Sequence, residues 1–263
     1  MSNKNVRHVL GLSGGKDSSA LAIFMRTKVP EMEYFFTDTG AELPETYEYL
    51  DKLEAYLGKP IARLNAKRTF DHLLKTQYND FLPSPNTRWC TRELKIRPFE
   101  DFVGEDEVIS YVGIRADEDR GGYVSTKPNI TAVFPFKEAG VDYAGVKRIL
   151  DDSGLGIPAY YEWRSRSGCF FCFFQRKNEW IGLKERHPQL FEEAKKYEKF
   201  DPETGTRYTW SQGESLDELA SRGEAIKYAA NQRLKSIAVV SWQENLASIA
   251  DEEEDESCII CSL

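Results

Sequence analysis

The sequence predicts an α/β fold: a parallel sheet with helices on both faces, followed by a helical C-terminal region. Three observations predict it. Short apolar runs alternate with stretches of helical period through the first half of the chain. A glycine-rich turn stops the first apolar run and opens the first helical stretch. From about residue 140 onward, one helical pattern follows another. With 263 residues, 41% of them hydrophobic, the chain can bury a sizeable core.

Taken in order, residues 6–12 form an apolar run ending at Ser13-Gly14-Gly15, the first strand. Residues 18–27 carry Ala20, Leu21, Ile23, Phe24 and Met25 at helical spacing. Residues 32–37 are the second strand. Pro44–Leu57 is a helix, with Pro44 in its first turn, a stripe of Tyr47, Leu50, Leu53 and Leu57, and Gly58 as its stop. Residues 60–64 are the third strand and 70–77 a helix. Residues 108–114 and 131–134 are two more strands. Helical patterns then cover 143–150, 177–186, 189–197 and 216–230, with a loop at 201–212. The expected organisation is a nucleotide-binding α/β domain over 1–140, a helical region over 141–250 and an acidic tail over 251–263.

The formal charge is −8, from 35 basic and 43 acidic residues. Residues 251–256 are six consecutive acids, and without them the balance of the body is −2. A near-neutral body can carry a local basic face, so a nucleic-acid partner stays open. No apolar run is long enough to span a bilayer. Residues 1–12 carry neither a long apolar stretch nor a small-residue cleavage site, so a cytoplasmic protein is expected. Five cysteines, an odd count, point to thiols or metal ligands in a reducing compartment.

The strongest local signal is Ser13-Gly14-Gly15-Lys16-Asp17-Ser18, placed after a strand and at the start of a helix. Two glycines allow a sharp turn and a close approach to an anion. The unpaired N–H groups of a helix start face that anion and the helix dipole favours it. Ser13 and Ser18 add hydroxyls and Lys16 a point charge. Asp17 suits capping or holding a magnesium ion better than meeting a bare phosphate. The spacing is neither that of a Walker A loop nor that of a Gly-x-Gly-x-x-Gly fingerprint.

This loop resembles the pyrophosphate loop of the adenine-nucleotide α-hydrolases, the ATP-pyrophosphatase (PP-loop) superfamily. Further segments resemble the phosphoadenosine-phosphosulfate (PAPS) reductase family within it: Thr37-Asp38-Thr39-Gly40 with Leu43-Pro44-Glu45-Thr46, Cys90-Thr91-Arg92-Glu93-Leu94-Lys95, and Gly113-Ile114-Arg115 running to Arg120. The match covers about residues 6–175. It implies a Rossmann-like sheet with the nucleotide at the carboxyl ends of the strands. The implied nucleotide-binding set is Ser13, Gly14, Gly15, Lys16, Asp17, Ser18, Asp38, Gly113, Arg115 and Arg120. Lys16, Asp17, Lys95 and Arg115 are the candidate catalytic residues, the arginines meeting phosphate or sulfate oxygens. Surface pairing of Arg115 and Arg120 with Asp117, Glu118 and Asp119 is the competing reading.

Cys169 and Cys172 form a Cys-x-x-Cys, with 78 residues between Cys90 and Cys169; Cys258 and Cys261 form a second pair. A redox dithiol, a zinc site and an iron–sulfur cluster compete. The spacing resembles that of cluster-bearing sulfonucleotide reductases with one cysteine missing, since Trp89-Cys90-Thr91 stands where a Cys-Cys pair is found. Cys90, Cys169 and Cys172 are therefore the candidate ligands of a [4Fe–4S] cluster with one open iron. Tyr160, Tyr161, Trp163, Arg164, Arg166, Arg176 and Lys177 flank the Cys-x-x-Cys as a basic, aromatic strip. Such a strip can track a nucleic-acid strand or snorkel over an apolar layer.

The intact loop implies ATP, with Mg2+, rather than a sulfonucleotide. The C-terminus also departs from the Glu-Cys-Gly ending of the family's reductases. The expected activity is an ATP pyrophosphatase that adenylylates an acceptor for sulfur incorporation. The acceptor is expected to be nucleic acid, as in DNA phosphorothioation and related phage-defence systems or tRNA thiolation, with a cysteine desulfurase as sulfur donor. The alternatives are a sulfonucleotide reductase, a sulfate adenylyltransferase subunit and a non-catalytic nucleotide-sensing subunit of a defence complex.

Overall fold

A computed structural model describes residues 6–119, 125 and 127–239, the last seven by backbone alone. The acidic tail with Cys258 and Cys261, and also Arg120, lie outside the described residues. In chain order the elements are β1 (Arg7–Gly11), α1 (Lys16–Met25), β2 (Glu33–Asp38), α2 (Pro44–Leu57), β3 (Ile61–Asn65), α3 (Phe70–Thr76) and α4 (Trp89–Thr91). A π-helical turn (Arg92–Ile96) leads into α5 (Arg97–Val103), β4 (Val108–Tyr111), β5 (Ile130–Val133), α6 (Pro135–Ala139) and α7 (Tyr143–Asp152). A 3-10 turn (Ala159–Glu162), α8 (Lys177–Arg186), α9 (Pro188–Lys195), β6 (Lys199–Phe200), β7 (Arg207–Tyr208), α10 (Leu216–Ser221) and α11 (Gly223–Val239) complete the chain.

The chain divides into two compact units. Among the described residues, those up to 69 with 90–168 make the first, and 70–89 with 169–239 the second. The first is built on a five-stranded sheet of order β3-β2-β1-β4-β5, every neighbouring pair parallel. Alternation along each strand decides which helix covers which face. Leu10 of β1 with Tyr34 and Phe36 of β2 joins a core formed with α1, α2 and α7. Val9 and Phe35, one residue out of step, join the opposite core with Phe99 and Val103 of α5. Phe35 stacks on Phe99 with ring centroids 4.9 Å apart. Both faces are thus buried, which is why β1 and β2 read as continuous apolar runs.

The unit boundaries differ from the 1–140 and 141–250 reading. Val146 and Leu150 of α7 belong to the sheet's own core, so the first unit runs on to Gly168. Phe70 to Trp89, in turn, belongs with the C-terminal unit. There Phe70 contacts Trp89, Phe171 and Tyr197 at centroid distances of 5.0, 4.5 and 5.3 Å. Trp210 stacks on Phe171 at 5.3 Å and donates from Nε1 to the Ala194 carbonyl at 2.8 Å. The second unit is mainly helical, as expected. Within the stretch expected as a loop over 201–212, β7 forms and pairs antiparallel with β6 just before it. The helix expected over 216–230 is two helices, parted at Arg222. Ser215 and Glu218 cap the first in a reciprocal box. Among the described residues, no helix is long and apolar enough to cross a membrane.

Phe99, almost fully buried, tests the α5 face of the sheet. Phe99→Ala is expected to cost about 3–5 kcal/mol in chemical denaturation followed by circular dichroism. Phe99→Leu, which keeps most of the volume, is expected to cost less than ~1.5 kcal/mol.

Candidate nucleotide site

Open parallel sheets bind ligands beyond the carboxyl ends of their strands, where the strand order reverses. Here the reversal lies between β1 and β4. The chain leaves β1 through Leu12–Gly15 and leaves β4 through Val112–Asp119, and the β4 segment meets the first turn of α1 that follows the β1 loop. Gly14 adopts the left-handed region, φ +71°, and a Cβ there would lie 2.6 Å from Thr46 Cγ2. Both facts exclude a side chain at this position. Gly15 is the extended N-cap of α1 and has no side chain of its own to cap the helix. Gly113 lies so close to α1 that a Cβ would sit 3.2 Å from the Asp17 carbonyl carbon and oxygen.

The loop hydroxyls bond to one another. Ser13 N–H donates to Ser18 Oγ at 3.2 Å, Gly15 N–H to Ser13 Oγ at 3.3 Å, and Ser18 Oγ to the Gly15 carbonyl at 3.3 Å. This turn leaves the start of α1 facing the strand ends, the arrangement an anion takes. Lys16 places Nζ 3.4 Å from Asp17 Oδ2 and 4.9 Å from the Tyr161 ring centroid.

Asp17 neither caps α1 nor presents itself to a metal ion. Its Oδ1 accepts from Arg115 Nη1 at 3.1 Å, and Lys16 faces Oδ2. Burial alone would push its pKa up, but Lys16 and Arg115 outweigh it and hold the carboxyl below the ordinary value of 3.8. A carboxylate already bound to two cations does not fit a resident magnesium site. Arg115, buried, also donates from Nε to Asp117 Oδ1 at 3.0 Å, and its Nη1 lies 2.7 Å from Glu118 Oε1. Burial would lower its pKa; the three carboxylates raise it further than burial lowers it. The resemblance assigns Arg115 to phosphate, whereas here its partners are Asp17, Asp117 and Glu118. A buried guanidinium demands such anions.

The structure therefore brings Ser13, Gly14, Gly15, Lys16, Asp17, Ser18, Gly113 and Arg115 together. Asp38 ends the neighbouring strand β2, where its Oδ1 accepts from Tyr47 Oη and from the Gly40 N–H, each at 2.8 Å. Lys95 is half-buried on the π-helical turn, whose Glu93 is buried against Arg92 and Arg97. Cys90 is a half-buried thiol of the first unit. Cys169 and Cys172 are half-buried thiols on one turn of the second, closed by the Cys172 N–H on the Cys169 carbonyl at 3.1 Å. Among the described residues, no three His, Cys, Asp or Glu side chains form a group able to hold a metal ion.

Sequence reasoning missed the residues behind the loop. Tyr160 and Arg164, expected on a surface strip, are 1% and 2% exposed. Tyr160 Oη donates to the Gly14 carbonyl at 2.8 Å, and Arg164 Nη1 to the Gly168 carbonyl at 2.9 Å. They pack inside the first unit instead of lining its surface, and neither side chain is available to a nucleic-acid strand. The doublet Tyr160-Tyr161 carries no motif, and only the fold shows what it touches.

A family model, the phosphoadenosine phosphosulfate reductase domain, matches residues 7–132. Over those residues the chain is similar to that domain. An uncharacterised protein of Methanocaldococcus jannaschii is 27% identical over 198 residues, 70% of this chain and 40% of that one. The tRNA-specific 2-thiouridylase of Staphylococcus aureus is 26% identical over 213 residues, 68% of this chain and 55% of that one. The chain thus spans about half the length of these two relatives. A crystal structure of phosphoadenylyl-sulfate reductase from Candida auris, a phosphate complex, aligns with a TM-score of 0.49 at 17% identity, over 63% of this chain and 82% of that one. The matched residues 7–132 contain β1 to β4 and most of β5, and with them both loops of the site.

The stability that Asp17 contributes is complete above about pH 4 and is lost as pH falls through its depressed pKa. Asp17→Asn, which cannot take up that proton, is expected to be less stable at pH 7 and to show a shallower loss of stability between pH 4 and pH 2. Thermal unfolding across that range measures both.

Proposed function

We propose that this chain binds MgATP with the β,γ-pyrophosphate on residues 13–18 and adenylylates an acceptor for sulfur incorporation. The observation that carries this reading is the β1–α1 loop: left-handed Gly14, a helix start whose N-cap glycine offers no capping side chain, and Lys16, at the point where the strand order reverses. The likenesses to the PAPS reductase domain and to a tRNA 2-thiouridylase support nucleotide-dependent sulfur chemistry.

In the proposed reaction an acceptor oxygen attacks the α-phosphorus. The bond from that phosphorus to the bridging oxygen breaks, and pyrophosphate leaves with the electron pair. The loop N–H groups and Lys16 stabilise the charge that develops on it. Arg115 acts by holding Asp17 and through it the first turn of α1. Lys95 is the proposed further cation for the nucleotide. A sulfur nucleophile then displaces AMP from the activated acceptor. The proposed acceptor is nucleic acid and the proposed sulfur donor a cysteine desulfurase, in a reducing cytoplasm.

Cluster binding by Cys90, Cys169 and Cys172 belongs to the proposal on their spacing alone, and no step above passes through it. Anaerobically purified protein is expected to hold about four irons per chain. Zinc or no metal removes the cluster and leaves the nucleotide chemistry standing.

The family match favours a second reading, a sulfonucleotide reductase. Pyrophosphate release separates the two. With nucleic acid and a sulfur donor present, ATP is expected to yield AMP and pyrophosphate, and Lys16→Ala to weaken pyrophosphate binding roughly 10- to 100-fold. Reduction of a sulfonucleotide with no ATP turnover would overturn the first reading in favour of the second.

A further inference from the structure

Residues 158–168 lie outside every phosphate-loop motif, yet within the first unit they fold back onto that loop. Tyr160 donates its hydroxyl to the Gly14 carbonyl at 2.8 Å. The Lys16 N–H donates to the Tyr161 hydroxyl at 3.3 Å, and the Tyr161 ring faces Lys16 Nζ at 4.9 Å. Ser167 Oγ donates to Ser13 Oγ at 3.1 Å. A Cβ on Gly15 would meet Ser167 Oγ at 2.8 Å and Tyr161 Oη at 3.2 Å. Two hydroxyls from one segment therefore fill the space over Gly15, where a helix start of this kind meets an anion.

The Lys16 N–H opens α1, at the helix end where backbone donors turn to partners outside the helix. A neutral phenol oxygen is a weaker acceptor for such a donor than an anionic phosphate oxygen. At 3.3 Å this contact is long for an N–H···O hydrogen bond, and the Tyr161 hydroxyl also bonds to its neighbour Tyr160.

We propose that the Tyr161 hydroxyl is a placeholder for a phosphate oxygen of the nucleotide: it holds the Lys16 N–H in the ligand-free chain and is displaced when the nucleotide binds. Tyr160 is a positioning residue that fixes the Gly14 peptide in its left-handed conformation. The inference rests on the reading of residues 13–18 as a pyrophosphate site. It makes Tyr161 a competitor of the ligand, so affinity is set partly by the release of this contact.

A tyrosine that merely caps α1 makes the opposite prediction, which the experiment exploits. Inorganic pyrophosphate and MgATP are titrated by calorimetry into the wild-type chain, Tyr161→Phe and Tyr160→Phe. Tyr161→Phe keeps the ring over Lys16 and removes the competing oxygen, along with its hydrogen bond to Tyr160. It is expected to melt lower than wild type and yet to bind pyrophosphate roughly three- to tenfold tighter. Tyr160→Phe is expected to bind more weakly. A second measurement leaves the loop intact. With 3-fluorotyrosine at position 161, the fluorine resonance is expected to shift when pyrophosphate saturates the site. Equal or weaker binding by Tyr161→Phe, or an unmoved resonance at saturation, overturns the placeholder alone. If the wild-type chain binds neither pyrophosphate nor MgATP, the pyrophosphate-site reading falls and the placeholder with it.

Discussion

The site depends on one buried arginine. Arg115 crosses from the β4 loop to the first turn of α1 and grips Asp17, and Asp117 and Glu118 complete its shell. A guanidinium this deeply buried stays in place only while its anions do. Removing any of them leaves charge uncompensated in a poorly solvated place. The two loops that flank the reversal of strand order are thereby locked together, and the glycines between them make the approach possible. Gly113 gives α1 room to touch the β4 loop, and Gly14 turns the chain sharply enough to aim the start of α1 at the strand ends.

This lock changes how the positive charges near the nucleotide are read. Both Lys16 and Arg115 face Asp17, so neither stands as an isolated cation waiting for phosphate. Binding of a polyphosphate at residues 13–18 becomes an exchange of partners. Lys16, on a flexible stem, can turn from Asp17 to a phosphate without leaving a buried charge behind. Arg115, with three carboxylates around it, cannot do so at comparable cost. The proposed division of labour follows: backbone N–H groups and Lys16 would meet the ligand, while Arg115 keeps the scaffold in shape.

Much of this was legible in the sequence because it is local. Pro44 and Gly58 bound α2 at the predicted residues, and the apolar runs of β1 and β2 announce a sheet buried on both faces. The phosphate loop is six consecutive residues whose conformation is dictated by two glycines. What stayed hidden is what depends on tertiary partners. Arg115 as a phosphate ligand and Arg115 as a structural ion pair have the same sequence, and burial decides between them. Tyr160 and Arg164 look like a surface strip beside the Cys-x-x-Cys, and only packing shows them inside. The boundary between the units is hidden for a similar reason: α7 is as helical as α8 and α9, but its Val146 and Leu150 complete the core of the sheet.

The central claim is that residues 13–18, locked to the β4 loop, are the pyrophosphate site of an ATP-using chain. Amide hydrogen exchange tests it most directly, comparing the protein alone with the protein saturated by MgATP and by a sulfonucleotide. The account predicts that MgATP slows exchange at residues 13–18 and across the Gly113–Glu118 segment, while a sulfonucleotide, which carries no β,γ-pyrophosphate, leaves residues 13–18 unchanged. Protection of the loop by the sulfonucleotide and not by MgATP would contradict it.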